Sequence, residues 1–206
     1  MAIGSGFTRA FFSRDCRVVA RALIGAYLVR ALPNGTRLAG RIVEVEAYVG
    51  DGTDAGSHSH RGITPRNRAM FGPPGRLYVY RSYGIHTCVN VVCDVEGRSA
   101  AVLLRAVEPR ENLAQMRRLR GMSADRPDRE IANGPGKLAQ AFDLRMEDYG
   151  RSVLRGPVRL CRAGTGEARL RIERSTRIGL TQGADLPYRF YAADNPFVGR
   201  TPRRPR

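Results

Sequence analysis

Two carboxylates and a phenol alternate with small aliphatic side chains in RIVEVEAY, residues 41–48. In a strand successive side chains point to opposite faces, so Ile42, Glu44, Glu46 and Tyr48 should share one face and Val43, Val45 and Ala47 the other. Desolvating a carboxylate is costly unless it is paired or its pKa moves, and acids held in that state gather where a proton has to be taken or given. One reading is therefore a pocket wall. The plainer one is an edge strand with a solvated polar face. A second group lies in RLYVYRSYG, residues 76–84, which places Tyr78 and Tyr80 on one face and Tyr83-Gly84 at a turn beside Arg81. A large ring at a turn gains nothing from solvent, so Tyr83 either folds back onto its own hairpin or enters another molecule.

The charge favours one kind of other molecule. The chain has 206 residues and a formal net charge of +16, with an isoelectric point near 11.0. A surface this basic concentrates polyanions through counterion release and long-range steering, which makes nucleic acid the expected partner and Tyr83 a candidate wedge between stacked bases. An anionic membrane surface would compete. There is, however, no apolar run of about 18 residues and no charged-then-apolar leader, so the expectation is a cytoplasmic, nucleoid-associated protein that neither spans a membrane nor is secreted.

Of the 35 basic residues, 34 are arginine and the only lysine is Lys137. Arginine's planar fork suits phosphates, although a codon preference would yield the same count. In either case only Lys137 and the N-terminal amine can form a Schiff base with a sugar aldehyde. The four cysteines, Cys16, Cys88, Cys93 and Cys161, form no CxxC pair and read as reduced core residues. A metal site would have to draw on His58, His60, His86 and Cys88, and a lone His-x-His is weak support for one. No metal or cofactor is expected.

These residues need elements to position them. Ser13 or Asp15 can cap a helix through CRVVARAL that Gly25 ends. The strand AYLVRAL turns at Pro33-Asn34-Gly35 into RLAGRIVEVEAY. The segment from Gly50 to Pro74 is polar and aperiodic, longer than an idle connection in a compact domain. Residues 76–95 read as a hairpin around Ser82-Tyr83-Gly84. AAVLLRAVEP is a short apolar strand interrupted by Arg105, ENLAQMRRLRG a helix stopped by Gly121, and GPGKLAQAF a helix with Pro135 at its start. Three further strands fall within residues 151–193, and TPRRPR from Thr201 is a basic tail expected to be disordered. The element order indicates one mixed α+β domain.

GRIVEVEAY, TPRNRAMF, GRLYVYRSYG, VLLRAVEP and NGPGKL, in that order along nearly the whole chain, resemble the alkyladenine (3-methyladenine) DNA glycosylase family. The resemblance implies a domain over residues 1–200 built on a curved, mainly antiparallel sheet with flanking helices and a protruding hairpin that intercalates into DNA. It also implies a monofunctional enzyme that flips alkylated or deaminated purines out of the duplex and hydrolyses the N-glycosidic bond, acting as a monomer on double-stranded DNA. Carried over residue by residue, Glu46 matches the general base. Arg105 and the main-chain carbonyl of Leu180 match the groups that hold the attacking water. Tyr48, His58 and Tyr80 match the residues around the flipped base, and Asn90 the one whose bulk disfavours the exocyclic amine of guanine. Tyr83 matches the intercalating residue, with Arg66, Lys137 and Arg81 towards the DNA. A one-residue insertion between Tyr48 and Asp54 leaves His60 as the alternative to His58. Glu44 reads as structural, bound to an arginine. A non-enzymatic RNA- or DNA-binding protein would explain the basicity but not Glu46 within a tyrosine-lined strand pair. A zinc deaminase would need His-x-Glu and Pro-Cys-x-x-Cys, which are absent.

Overall fold

The computed structural model describes residues 3–199, so the N-terminal amine and the basic tail from Thr201 lie outside the described residues. The chain opens with β1 (Ile3–Gly6), α1 (Arg9–Phe12), α2 (Cys16–Leu23), β2 (Tyr27–Ala31) and the long strand β3 (Arg37–Val49). The hairpin β4 (Leu77–Ser82) and β5 (His86–Val92) follows, then β6 (Ala100–Glu111), α3 (Leu113–Leu119), α4 (Pro135–Ala141), β7 (Val158–Ala163), β8 (Ile172–Ser175) and β9 (Arg189–Ala192). All nine strands join one sheet in the order β1-β7-β2-β3-β6-β5-β4, with β9 added to β3 and β8 to β9. Every pairing is antiparallel. The mixed α+β class therefore stands as expected.

Local chemistry explains the elements that were legible. The Asp15 side chain accepts the Arg17 N–H at 2.7 Å and starts α2, whose Cys16, Val19, Ala20 and Leu23 are buried at helical spacing. Gly25 follows at φ +90°, a conformation that ends the helix and that glycine adopts without strain. Helix α2 packs on β3 and β6, and α4 packs on β5 and β6. Val43, Val45 and Ala47 enter the main apolar core with Val102, Leu104 and Ala106 of β6.

The sequence pattern misses two features here. Strand β6 is one continuous twelve-residue strand, not a short strand broken at Arg105. Ile42 lies opposite Val107, Glu44 opposite Ala106 and Val45 opposite Leu104, so Val43 and Arg105 are extra residues in compensating bulges. The bulge at Val43 breaks strict alternation, and Ile42 joins the apolar core instead of the Glu44 face. β1 and α1 were not foreseen, since both are only four residues long and carry little periodicity.

Candidate active site

Strand β3 delivers Glu46 to the centre of the sheet, between β6 and β9, and the side chain is fully buried. Each of its oxygens is engaged. Oε1 accepts the Ile178 N–H at 2.8 Å, and Oε2 accepts the Tyr48 hydroxyl at 2.8 Å. Arg105, carried outward by its bulge, brings Nη1 to 3.2 Å from Oε2. Burial and the adjacent Glu46 hold the Tyr48 phenol well above its ordinary pKa, so it stays a donor. Burial opposes the Arg105 charge, but Glu46 and Glu44 outweigh it and keep the guanidinium protonated.

Glu44 is committed elsewhere. Its Oε1 accepts Nε of Arg105 at 2.9 Å and Nε of Arg189 at 2.7 Å, while Oε2 accepts the Gly199 N–H at 2.7 Å. Both carboxylates are fully buried with both oxygens engaged. What separates them is that the Glu46 partners Tyr48, Arg105 and Ile178 all line a cleft, whereas Arg189 and Gly199 do not, so Glu44 serves to orient Arg105.

Tyr48 and Arg105 open onto a cleft of about 910 Å³, and Tyr48, His58, Tyr80 and Leu180 continue into an inner chamber of about 50 Å³ closed by Met70, Tyr78 and Asn90. The hairpin stacks Tyr78 on Tyr80 with ring centroids 5.4 Å apart, and His58 meets Tyr80 edge-on at 4.5 Å. His58 Nδ1 lies 2.8 Å from the Tyr78 hydroxyl. Burial and the nearby Arg66 lower the pKa of the imidazole, favouring its neutral form. Asn90 is buried and donates to the Tyr78 carbonyl at 3.2 Å. Of the two histidines left open by the sequence, both of them exposed, His58 lines the cleft and His60 does not.

At the cleft mouth stand Arg66 and Lys137, and burial and Arg120 lower the Lys137 pKa. Arg66 donates to the Arg81 carbonyl at 3.1 Å, while Arg81 itself is exposed beyond the cleft lining. Tyr83 crowns the hairpin at 85% exposure. It and Gly84 both have positive φ, at 50° and 70°, and the Ile85 N–H bonds to the Ser82 carbonyl, a tight turn within the three-residue connection between the paired Ser82 and His86. All four cysteines are buried and free, with Cys88 on the cleft wall. Among the described residues no three His, Cys, Asp or Glu side chains group as metal ligands.

Sequence reasoning missed the supports behind this wall. Arg177 is buried and bonds both Asp54 oxygens at 2.6 Å. The Asn67 side chain closes loop 58–67 by donating to the His58 and Gly62 carbonyls at 2.9 Å each and accepting the Thr64 N–H. Both sit in aperiodic segments, where no alternation marks a buried polar residue. The one available signal was an arginine ahead of Ile178 and Leu180 in an otherwise polar loop.

Comparison with known proteins agrees with the geometry. The sequence profile of the methylpurine-DNA glycosylase family matches residues 10–196. A relative from Rhodopseudomonas palustris, named "Putative 3-methyladenine DNA glycosylase", is 48% identical over 199 residues, covering 97% of this chain and 90% of its own. A relative of the same name from Methanoculleus marisnigri is 47% identical over 194 residues, covering 93% and 97%. One from Carboxydothermus hydrogenoformans is 43% identical over 192 residues, covering 93% and 97%.

Proposed function

The chain belongs to the methylpurine-DNA glycosylase family and is a DNA-repair hydrolase; on that premise we propose that it flips alkylated or deaminated purines from duplex DNA and releases them with a water activated by Glu46. The base enters the chamber lined by Tyr48, His58 and Tyr80. Tyr83 fills the space it leaves in the duplex. Arg66, Arg81 and Lys137 meet the phosphates.

In the reaction, the water oxygen forms a bond to C1′ of the sugar, the C1′–N bond breaks with its electron pair leaving on the purine, and Glu46 takes the water proton. Arg105 and the Leu180 carbonyl hold the water. The sugar passes through an oxocarbenium-like state, which the buried Glu46 anion also stabilises. A second carboxylate acting as acid is not required for a purine made cationic by alkylation, which leaves as the neutral base. A deaminated purine or ethenoadenine leaves as the anion and takes its proton from solvent water. Glu44, whose partners Arg189 and Gly199 lie outside the cleft lining, fits that one-base scheme. His58 in its neutral form retains Nε2 for the purine edge while Nδ1 faces Tyr78. Asn90 narrows the chamber floor against the exocyclic amine of guanine.

The observation that carries this reading is a fully buried carboxylate, fixed by an N–H, a phenol and a guanidinium, at the edge of a ring-lined chamber. Glu46→Gln preserves shape and removes the base. Lesion binding should persist while single-turnover release on an ethenoadenine duplex falls by about 10²–10⁴. Equal rates for variant and wild type would overturn the mechanism. The enzyme should also act as a monomer, retain activity in EDTA and leave an intact abasic site. Loss of release in EDTA, or stoichiometric borohydride trapping on DNA through Lys137, would contradict the metal-free, non-lyase scheme.

A further inference from the structure

Arg177 is itself part of neither the cleft nor the chamber lining, yet its guanidinium ties together three segments around them. Nη1 donates to the Ala47 carbonyl on β3 at 3.0 Å, both terminal nitrogens reach Asp54 in loop 50–57, and Nη2 donates to the Gly183 carbonyl at 2.9 Å. The next residue, Ile178, gives its N–H to Glu46. Loop 178–183 is thus pinned at both ends, at Ile178 by Glu46 and at Gly183 by Arg177. Leu180 lies between the two pins and faces the cleft.

The fit around the pair leaves no slack. Asp54 also accepts the Val49 and Gly56 N–H groups at 3.1 and 3.0 Å, so its charge is fully engaged. A Cβ at Gly56 would stand 2.9 Å from Arg177 Nη2 and 2.9 Å from the Leu180 side chain. One at Gly183 would stand 2.9 Å from the Gly56 nitrogen. The Arg177 guanidinium also lies 4.6 Å from the Tyr48 ring centroid, bracing the residue that donates to the other Glu46 oxygen.

We infer that the Asp54–Arg177 pair is a positioning clamp for hydrolysis, holding Glu46 and the Leu180 carbonyl in register around the attacking water. The base itself is held mainly by other groups, on the hairpin and at His58, and shares Tyr48 with the clamp. This inference rests on the proposed role of Glu46 as the base. It separates two quantities: losing the clamp removes the water's geometry and leaves lesion binding in place. A displacement on the scale of 1 Å at a reacting centre lowers rate by about 10²-fold.

Arg177→Ala, assayed by single-turnover release on an ethenoadenine duplex at saturating enzyme, should lose about that factor and retain its affinity for the lesion. Millimolar guanidinium chloride should restore part of the rate by refilling the vacated space, whereas urea or sodium chloride at the same concentration should not. Asp54→Asn should also lose rate and show no rescue. Arg177→Lys, which keeps the charge without the fork, covers the case in which the alanine variant does not melt as a folded protein, and should fall between wild type and alanine. Wild-type rates in the folded Arg177 variants would overturn the clamp. So would a parallel fall in affinity and rate without guanidinium rescue, which would mark Arg177 as scaffold only. Glu46→Gln run alongside separates the two levels: if it releases base at the wild-type rate the water-activation reading has failed, and if it is inactive while Arg177→Ala is active only the clamp has.

Discussion

Glu44 and Glu46 are two residues apart on one strand and have opposite assignments because of what surrounds them. Glu46 faces a cleft through Tyr48 and Arg105, whereas Glu44 is held between Arg105, Arg189 and the Gly199 amide. Removing one partner from a buried ionic cluster costs about 3–5 kcal/mol, because the charges left behind lose their compensation. Glu44→Gln should therefore melt far below wild type, by about 2–4 °C per kcal/mol for a chain of this size. Measured at a temperature where both are folded, its single-turnover rate should fall less than that of Glu46→Gln. A variant with an unchanged melting point would show that the cluster does not hold the sheet together. The alternation of Glu44, Glu46 and Tyr48 was visible in the sequence because a strand has a fixed period. Which of the two acids meets the cleft does not follow from that period. It was the family resemblance that set Glu46 towards the chemistry, with Glu44 read as bound to an arginine, and the structure shows Glu44 on Arg105 and Arg189.

The hairpin β4–β5 shows how much one element can announce. Tyr78, Tyr80 and the turn at Tyr83-Gly84 were all legible, the first two from their alternation and the third because few turns carry an exposed ring. The sequence did not reveal the backbone state of Tyr83, whose positive φ a bulky residue adopts only at a cost of order 1 kcal/mol. Such a cost is tolerated where the side chain has work outside the fold. Tyr83→Gly removes the ring and the strain together, and the entropy glycine loses on folding, about 0.5–1 kcal/mol, roughly cancels the relief. Its melting temperature should stay close to wild type. Base release should nevertheless fall more on duplex than on single-stranded substrate, because only a duplex has a gap to fill when a base leaves it. Equal losses on the two substrates would identify Tyr83 as a packing residue. The loop 50–74 conceals more, because Asp54 and Asn67 are buried by closing it and nothing periodic in its sequence marks them.

Over the whole molecule, the charge of +16 pointed to nucleic acid, but it overstates what meets a phosphate. Arg41, Arg105, Arg177 and Arg189 are buried and serve internal acids or carbonyls. Others, such as Arg37, Arg126 and Arg171, are paired on the surface. The cations grouped around the cleft mouth and the hairpin are Arg66, Arg81, Arg120 and Lys137. If those four carry the duplex, with about 0.9 counterion released per phosphate neutralised, log K for undamaged duplex should fall against log salt with a slope of about −3 to −4. Total charge alone would suggest a far steeper dependence. Fluorescence titrations between low and physiological salt distinguish the cases: a slope near zero would remove DNA from the basic face, and one near −10 would mean that arginines far from the cleft also bind. Lys137→Gln should then flatten the slope by about one unit, since each lost contact removes one counterion from the balance. An unchanged slope in that variant would place Lys137 away from the phosphates and leave its bond to Asn133 as its role.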